Sequence, residues 1–299
     1  MERKRLVPRV LILIVPLFAF CQRAVAFGGG ERGHDVIGLG MEENSAAYIF
    51  TQSEESDDVA IQYLLEEAKQ NEALSRAWKS AKEKRAKFSH SNKSTIPKRL
   101  KEEHMVSVIA YTLNTNLYTQ FNRAMQTCGA NDSVYAEKFP FKSFHYLLSV
   151  AIERLRESSG SAPGTTYRGM GRVAEGQKGK KMRFGYFASS SLDMGVSKKF
   201  GTATVFTIKS RYGAKIENYS SFPGEKEVLI PPYEVFTITE CARRSDGVDI
   251  SLTTAGRQEI RVNVERGKGG TMLVVRSDGA AISAVAWVCV LALLRPISL

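Results

Sequence analysis

The spacing of hydrophobic positions changes near residue 160. Before it, apolar residues recur three and four apart; after it, short β-branched and aromatic runs lie between Gly, Pro, Ser and Asp turns. Val59, Tyr63, Leu64, Leu74, Trp78 and Ala81 predict one helix from Asp57 to Lys87, capped by Ser56 or Asp57. A second helical stretch covers Lys98 to about Gln126, with a break near Asn114. A third covers Phe141 to Arg156, with Phe144, Leu147, Leu148, Ala151 and Leu155 on one face. Ser158-Ser-Gly-Ser-Ala-Pro-Gly164 reads as a linker. Strands are expected at Thr165–Arg168, Met182–Phe187, Thr202–Ile208, Val228–Ile230, Glu234–Thr239, Val248–Thr253 and Ile260–Val264, with one short helix at Leu192–Phe200. Helices followed by strands predict an α+β protein, with a helical region over 41–160 and a β-core over 161–265, rather than a doubly wound sheet.

The two ends follow other rules. A basic start, an apolar run from Val10 to Phe20 and Ala24-Val25-Ala26 form a secretory signal pattern over 1–26, with cleavage expected after Ala26. Residues 27–40 are glycine-rich and read as a flexible N-terminus. In the C-terminal segment 266–299, the apolar run Ala280–Leu294 is shorter than the ~20 residues of a spanning helix. Residues 280–299 therefore read as a removable glycosylphosphatidylinositol-anchor signal, with Ser277, Asp278 and Gly279, or Gly269 and Gly270, as attachment residues. The alternative is a terminal helix packed in the core. Asn92, Asn131 and Asn218 each open an Asn-x-Ser acceptor for glycans. Together these features predict a glycoprotein of the secretory pathway, held at the outer face of the plasma membrane or released.

The formal net charge is +11, part of it in the basic N-terminus, so the mature body is only mildly basic. Lys and Arg alternate with acids along helices, as in Lys82-Glu83-Lys84-Arg85, and no stretch interleaves basic and aromatic residues; no nucleic-acid partner is expected. Cys128 and Cys241 are the cysteines outside the two ends, and pairing between them stays open. The four histidines are dispersed, so no metal site is expected, and His145 reads as a core histidine.

Candidate chemistry centres on Glu225-Lys226-Glu227, which follows the turn signal Pro223-Gly224 and precedes an apolar run. On a strand, side chains two apart share a face, so Glu225 and Glu227 would point together and Lys226 away. Two carboxylates side by side suit a positive centre, such as an oxocarbenium ion or a guanidinium. Alone, the same pattern also fits an exposed charged hairpin.

Three fragments occur in order: Tyr167-Arg168-Gly169; Phe187-Ala188-Ser189-Ser190-Ser191-Leu192 followed by Lys199-Phe200-Gly201; and Glu225-x-Glu227. With Met41-x-x-Asn44-Ser45, Trp78, Phe139-Pro-Phe-Lys-Ser-Phe-His145 and Phe222-Pro-Gly-Glu-x-Glu-Val-Leu-Ile-Pro-Pro232, this series resembles the arginine-specific mono-ADP-ribosyltransferases of the vertebrate cell-surface type, over about residues 38–265. The resemblance implies a split NAD-binding β-core of two packed sheets behind a helical N-terminal region, with NAD as co-substrate and arginine-bearing proteins as acceptors. It implies that Arg168 holds the NAD phosphates, that the Gly169 backbone meets the nicotinamide amide, that Phe200 packs on the nicotinamide ring, and that Ser189 orients Glu227. Glu227 would be the essential catalytic residue and Glu225 would receive the acceptor guanidinium, with Phe222 near the target protein. NAD hydrolysis and a non-enzymatic surface binding role remain as alternatives. One departure stands out: family members carry a cysteine soon after the Met-x-x-Asn-Ser segment and a partner near the end. Here Ala46–Ser53 has none and the second region reads Val262-Asn263-Val264, which predicts a less firmly tied N-terminal segment.

Overall fold

The computed structural model describes residues 36–91, 97, 99–267 and 272–276. The signal pattern, the anchor run and Asn92 lie outside the described residues.

Among the described residues the helical region holds six helices: α1 (Glu54–Gln70), α2 (Glu72–Ser91), α3 (Glu102–Thr112), α4 (Asn116–Thr127), α5 (Asp132–Lys138) and α6 (Lys142–Ser159). The single helix expected over 57–87 is two, because Asn71 is extended and its Oδ1 accepts the Leu74 N–H at 3.0 Å, starting a new helix. The cap of α1 is Ser53, whose Oγ accepts the Ser56 N–H at 2.9 Å, rather than Ser56 or Asp57. Asp57 instead turns inward. Its carboxylate accepts bonds from Arg154 Nη1 (2.8 Å) and Tyr146 Oη (2.7 Å), and His104 Nε2 lies 3.4 Å away. Helix α6 has no capping side chain of its own; Glu67 of α1 supplies one, accepting the Ser143 N–H at 3.0 Å. His145 is fully buried, with Nδ1 2.9 Å from Tyr135 Oη, and burial pushes its pKa down to about 3, so it is neutral.

Strands β1 (Ile37–Gly38) and β2 (Ile49–Phe50) precede the helices. After them come β3 (Gly164–Met170), β4 (Ala174–Glu175), β5 (Lys181–Met182), β6 (Ala188–Ser191), α7 (Met194–Lys198), β7 (Thr204–Ser210), β8 (Ala214–Lys215), β9 (Glu227–Ile230), β10 (Glu234–Arg244), β11 (Gly247–Arg257), β12 (Arg261–Arg266) and β13 (Met272–Arg276). The expected strand over 182–187 ends at Met182, because Gly185 adopts φ 70° and turns the chain toward β6.

The main sheet has the order β5-β10-β11-β7-β3-β6-β9-β8. Strands β3 and β7 pair over seven positions, whereas β3 and β6 pair only at Tyr167–Ser191. That junction divides the sheet into two wings, and this is how the expected pair of sheets is built. One core lies under the helices and takes in Phe187, Ile216 and Leu229; the other covers the long-strand wing and takes in Phe184, Phe206, Ile230 and Phe236.

The ends of the described chain are better tied than the missing cysteines predict. Ile37–Gly38, inside the stretch read as flexible, pairs with β4. Buried Arg183 donates to the carbonyls of Met41 and Glu42, each at 2.9 Å, and β2 pairs with β12. Met272–Arg276 joins β12 as an edge strand with Met272 and Val274 buried, and Arg276 pairs with Asp132. Attachment of an anchor at Gly269 or Gly270 would remove this strand; attachment at 277–279 would leave it in place. Cys128 and Cys241 are both free thiols.

Candidate active site

A cleft of about 330 Å³ opens where the two wings part. Tyr167, Arg168, Gly169, Ser189, Ser190, Ser191, Ser197, Phe200, Glu225 and Glu227 line it. Arg168, Gly169, Ser189, Phe200, Glu225 and Glu227, the residues expected to act on NAD and the acceptor, are among them; Phe222, expected near the target protein, is not, and its ring lies 5.4 Å from Lys84 Nζ.

Glu227 is the first residue of β9 and is buried at its end. Its Oε2 accepts the Ser220 hydroxyl at 3.2 Å; its Oε1 is buried without a partner. Burial pushes the carboxyl up to about 7. Ser189 opposes that rise, Glu225 adds to it, and Ser220 and Arg168 oppose it. Ser189 thus lies close enough to be felt by Glu227, although its Oγ makes no hydrogen bond of good geometry. The result is a carboxylate poised to change charge near neutral pH, with one oxygen anchored and the other unspent.

The pairing of Glu225 with Glu227 has a different origin from strand alternation. Glu225 ends a 3-10 turn, Pro223–Glu225, and Lys226 adopts the left-handed conformation at φ 47°. That turn swings Glu225 to the cleft mouth, where it is half-buried. Burial raises its pKa and Lys199 lowers it. Lys226 points outward and pairs with Asp193 at 3.2 Å. Asp193 also caps α7 through the Gly195 N–H at 2.9 Å, so the glutamate turn and α7 are tied together across the mouth.

The triple serine is buried strand rather than polar surface, and each hydroxyl has its own surroundings. Ser190 donates to the Val228 carbonyl at 2.9 Å, and Ser191 to the Glu225 carbonyl at 2.7 Å. Ser189 faces Glu227. The register pairs Ser191 with Glu227 and Ser189 with Leu229, so Ser189 is diagonal to the carboxylate on the same face.

Arg168 is 7% exposed. Its Nη1 donates to the Ser189 carbonyl at 2.5 Å and its Nη2 to Tyr186 Oη at 3.2 Å, while Nε is buried without a partner. Burial disfavours its charge, but Tyr186, Tyr118 and Tyr111 outweigh that and raise its pKa. Much of its donor set therefore braces β3 against β6 where their ladder is thinnest. Gly169 has a packing reason of its own: a Cβ there would lie 2.3 Å from the Ser197 carbonyl oxygen.

Sequence reasoning missed Ser220, Tyr186 and Tyr111. Tyr111, on α3, donates to the Phe187 carbonyl at 2.5 Å, and Thr112 Oγ1 accepts the Ser221 N–H at 2.8 Å. One helix end thus holds both the entry to β6 and the turn before Glu225. These are contacts distant in sequence, and no local pattern signals them.

The model of the NAD:arginine ADP-ribosyltransferase family matches residues 48–259. Mouse ecto-ADP-ribosyltransferase 5 is 39% identical over 193 residues, 62% of this chain and 62% of its own. A mouse GPI-linked NAD(P)(+)--arginine ADP-ribosyltransferase 1 is 38% identical over 153 residues, 50% of this chain and 47% of its own. The match with these relatives thus spans less than two thirds of their length. The crystal structure of the eucaryotic mono-ADP-ribosyltransferase ART2.2 superposes with a TM-score of 0.65 at 28% identity, covering 76% of this chain and 98% of that one. A mutant of the same protein in complex with NAD gives 0.64 at 27% identity, with the same coverage.

Proposed function

The chain belongs to the NAD:arginine ADP-ribosyltransferase family, and from that premise we propose that it transfers ADP-ribose from NAD to arginine side chains of target proteins, releasing nicotinamide. The observation that carries this reading is the pair of unequal glutamates in one cleft: Glu227 buried and half-anchored, Glu225 at the mouth.

The cleft suits NAD as co-substrate. Its buried polar atoms without protein partners, Glu227 Oε1, Ser189 Oγ and Arg168 Nε, are the kinds of group that a ribose hydroxyl and a phosphate would satisfy. In the proposed reaction Glu227 Oε1 accepts the 2′-hydroxyl of the nicotinamide ribose. Its negative charge opposes the positive charge that develops at C1′ as the bond to nicotinamide breaks and the electron pair leaves with nicotinamide. Arg168 contributes its remaining donor capacity to the phosphates. Gly169 offers backbone to the nicotinamide amide, and Phe200 packs on the ring. Glu225 receives the acceptor guanidinium, which is protonated in water. It orients one nitrogen toward C1′ on the face opposite nicotinamide and accepts the proton as the new C–N bond forms. The product carries the inverted configuration at C1′.

The relative named as GPI-linked supports a place at the extracellular face of the membrane, with the C-terminal apolar run as the anchor signal. Among the described residues no helix is long and apolar enough to cross a membrane.

Incubating the protein with labelled NAD and a small guanidino acceptor, beside Glu227→Gln, tests the proposal. Label transfer that disappears in the variant is the expected result. Free ADP-ribose without transfer would replace it with NAD hydrolysis, and no consumption of NAD by folded protein would leave a binding role.

A further inference from the structure

Ser220 lies seven residues before Glu227 and is fully buried. Its Oγ is 3.2 Å from Glu227 Oε2 and 3.1 Å from the Phe222 backbone nitrogen. A backbone N–H can only donate, so Ser220 Oγ accepts from Phe222 and directs its own proton at the carboxylate. Phe222 opens the turn that carries Glu225. The neighbouring Ser221 is fixed in turn: its N–H bonds Thr112 and its hydroxyl donates to the Ile109 carbonyl at 3.2 Å. The hydroxyl is therefore held from both sides and is not a free rotor.

We infer that Ser220 is a second positioning residue for Glu227, one that ties the orientation of the buried carboxylate to the acceptor turn. The inference rests on reading Glu227 as the residue that acts on NAD. Ser189 lies on one side of the carboxylate and Ser220 holds the other, which leaves Oε1 for the ribose. Movement of the turn on docking a target would reach Glu227 through a chain of two hydrogen bonds.

A hydroxyl donor favours the ionised carboxylate. The other groups facing Glu227 are Arg168 from β3 and Ser189 from β6, which also favour ionisation, and Glu225 from the turn, which opposes it. Tyr111 from α3 and Tyr118 from α4 are buried phenols whose pKa values are raised, so they stay neutral. Removing Ser220 therefore moves the Glu227 titration to higher pH.

The test uses the full chain made in bacteria, because Ser220 also completes the Asn218 glycan acceptor and its loss would otherwise change glycosylation. Glutamate labelled with 13C at the side-chain carboxyl allows Glu227, identified by the signal missing from Glu227→Gln, to be titrated directly. In Ser220→Ala the midpoint rises by about one pH unit, while Ser220→Thr, which keeps the hydroxyl, stays near wild type. The acid limb of kcat moves with it, giving a roughly fivefold loss at pH 7 that all but vanishes by about pH 9, with KM for NAD little changed. An unmoved midpoint in folded Ser220→Ala overturns the inference, as does a rate loss equal at every pH. If Ser220→Thr does not fold, the alanine variant decides alone. If the wild type consumes no NAD, the proposed activity fails, and the carboxyl titration still decides the role of Ser220.

Discussion

Gly169 of β3 and Gly201 after α7 cross at contact distance: a Cβ on Gly169 would lie 2.4 Å from the Gly201 carbonyl oxygen. Gly201 itself has φ 134°, a conformation closed to other residues, and a Cβ on it would strike the Gly171 backbone nitrogen at 2.2 Å. The two glycines let α7 lie against β3 and bring Ser197 and Phe200 into the cleft.

Gly169→Ala pushes that crossing apart. Overpacking of this kind costs about 1–3 kcal/mol, and the displaced element carries one wall of the cleft. Differential scanning calorimetry should show a Tm lower by several degrees, and KM for NAD should rise roughly tenfold. Wild-type values of both would show that α7 can shift freely.

The two glutamates should fail differently. Glu227→Gln is expected to lower NAD consumption of every kind by ~10²–10³-fold, the scale of losing one group that stabilises transition-state charge. Glu225→Gln should cut transfer to a guanidino acceptor by about as much, while release of nicotinamide to water falls far less. Equal losses in both reactions would remove Glu225 from the acceptor step.

Burial raises Glu227 from its ordinary 4.5 to about 7, and this has a sign for stability as well as for rate. A raised carboxyl binds its proton more tightly when folded. Stability is therefore complete below the unfolded value and is lost as pH rises from about 4.5 through 7. Glu227→Gln escapes this penalty, so its stability advantage in urea should grow by ~2–3 kcal/mol between pH 4.5 and pH 8. In the wild type, kcat/KM should climb across the same neutral range, with its acid limb near 7. An advantage that does not change with pH would mean that Glu227 ionises freely.

Asp57 shows the opposite case. Burial opposes its charge, but hydrogen bonds from His104, Arg154 and Tyr146 prevail and hold the carboxyl well below the usual range. Its contribution is present above the ordinary carboxylate value near pH 4 and fades as pH falls further. Asp57→Asn leaves the buried Arg154 guanidinium without its counter-charge, at a cost of about 3–5 kcal/mol. Denaturant unfolding at pH 7 would measure it, and a change under 1 kcal/mol would show that Arg154 finds other partners.

The class of fold was legible because its signals are local. Helical spacing along α6 and the apolar runs of β7, β10 and β11 need no knowledge of their neighbours. The two-residue strands were not legible: Ile37–Gly38 and Ala214–Lys215 are strands only because β4 and β9 lie beside them. Met272–Arg276, in the C-terminal segment, is likewise a strand only because β12 lies beside it. Asn71 was a missed opportunity, since Asn before Glu-Ala-Leu is a cap signal in its own right. In the site, the order of motifs named six residues that share one cleft and one, Phe222, that does not line it, and alternation gave the wrong cause for Glu225 and Glu227 facing that cleft. Lys226, a non-glycine residue at positive φ, is the kind of strained position that a period-two pattern cannot represent.

Main-chain carbonyls receive several of the bonds that frame this cleft. Arg168 ends on Ser189, Ser190 on Val228, Ser191 on Glu225 and Tyr111 on Phe187. A carbonyl acceptor does not depend on which side chain its residue carries. The frame is thus written in a small set of donors, and at Val228 and Phe187 the hydrogen bond itself does not fix which side chain is present. Lys226, exposed and paired with Asp193 at the surface, lies outside this set, and under the proposed reaction it belongs to the rim that a target meets.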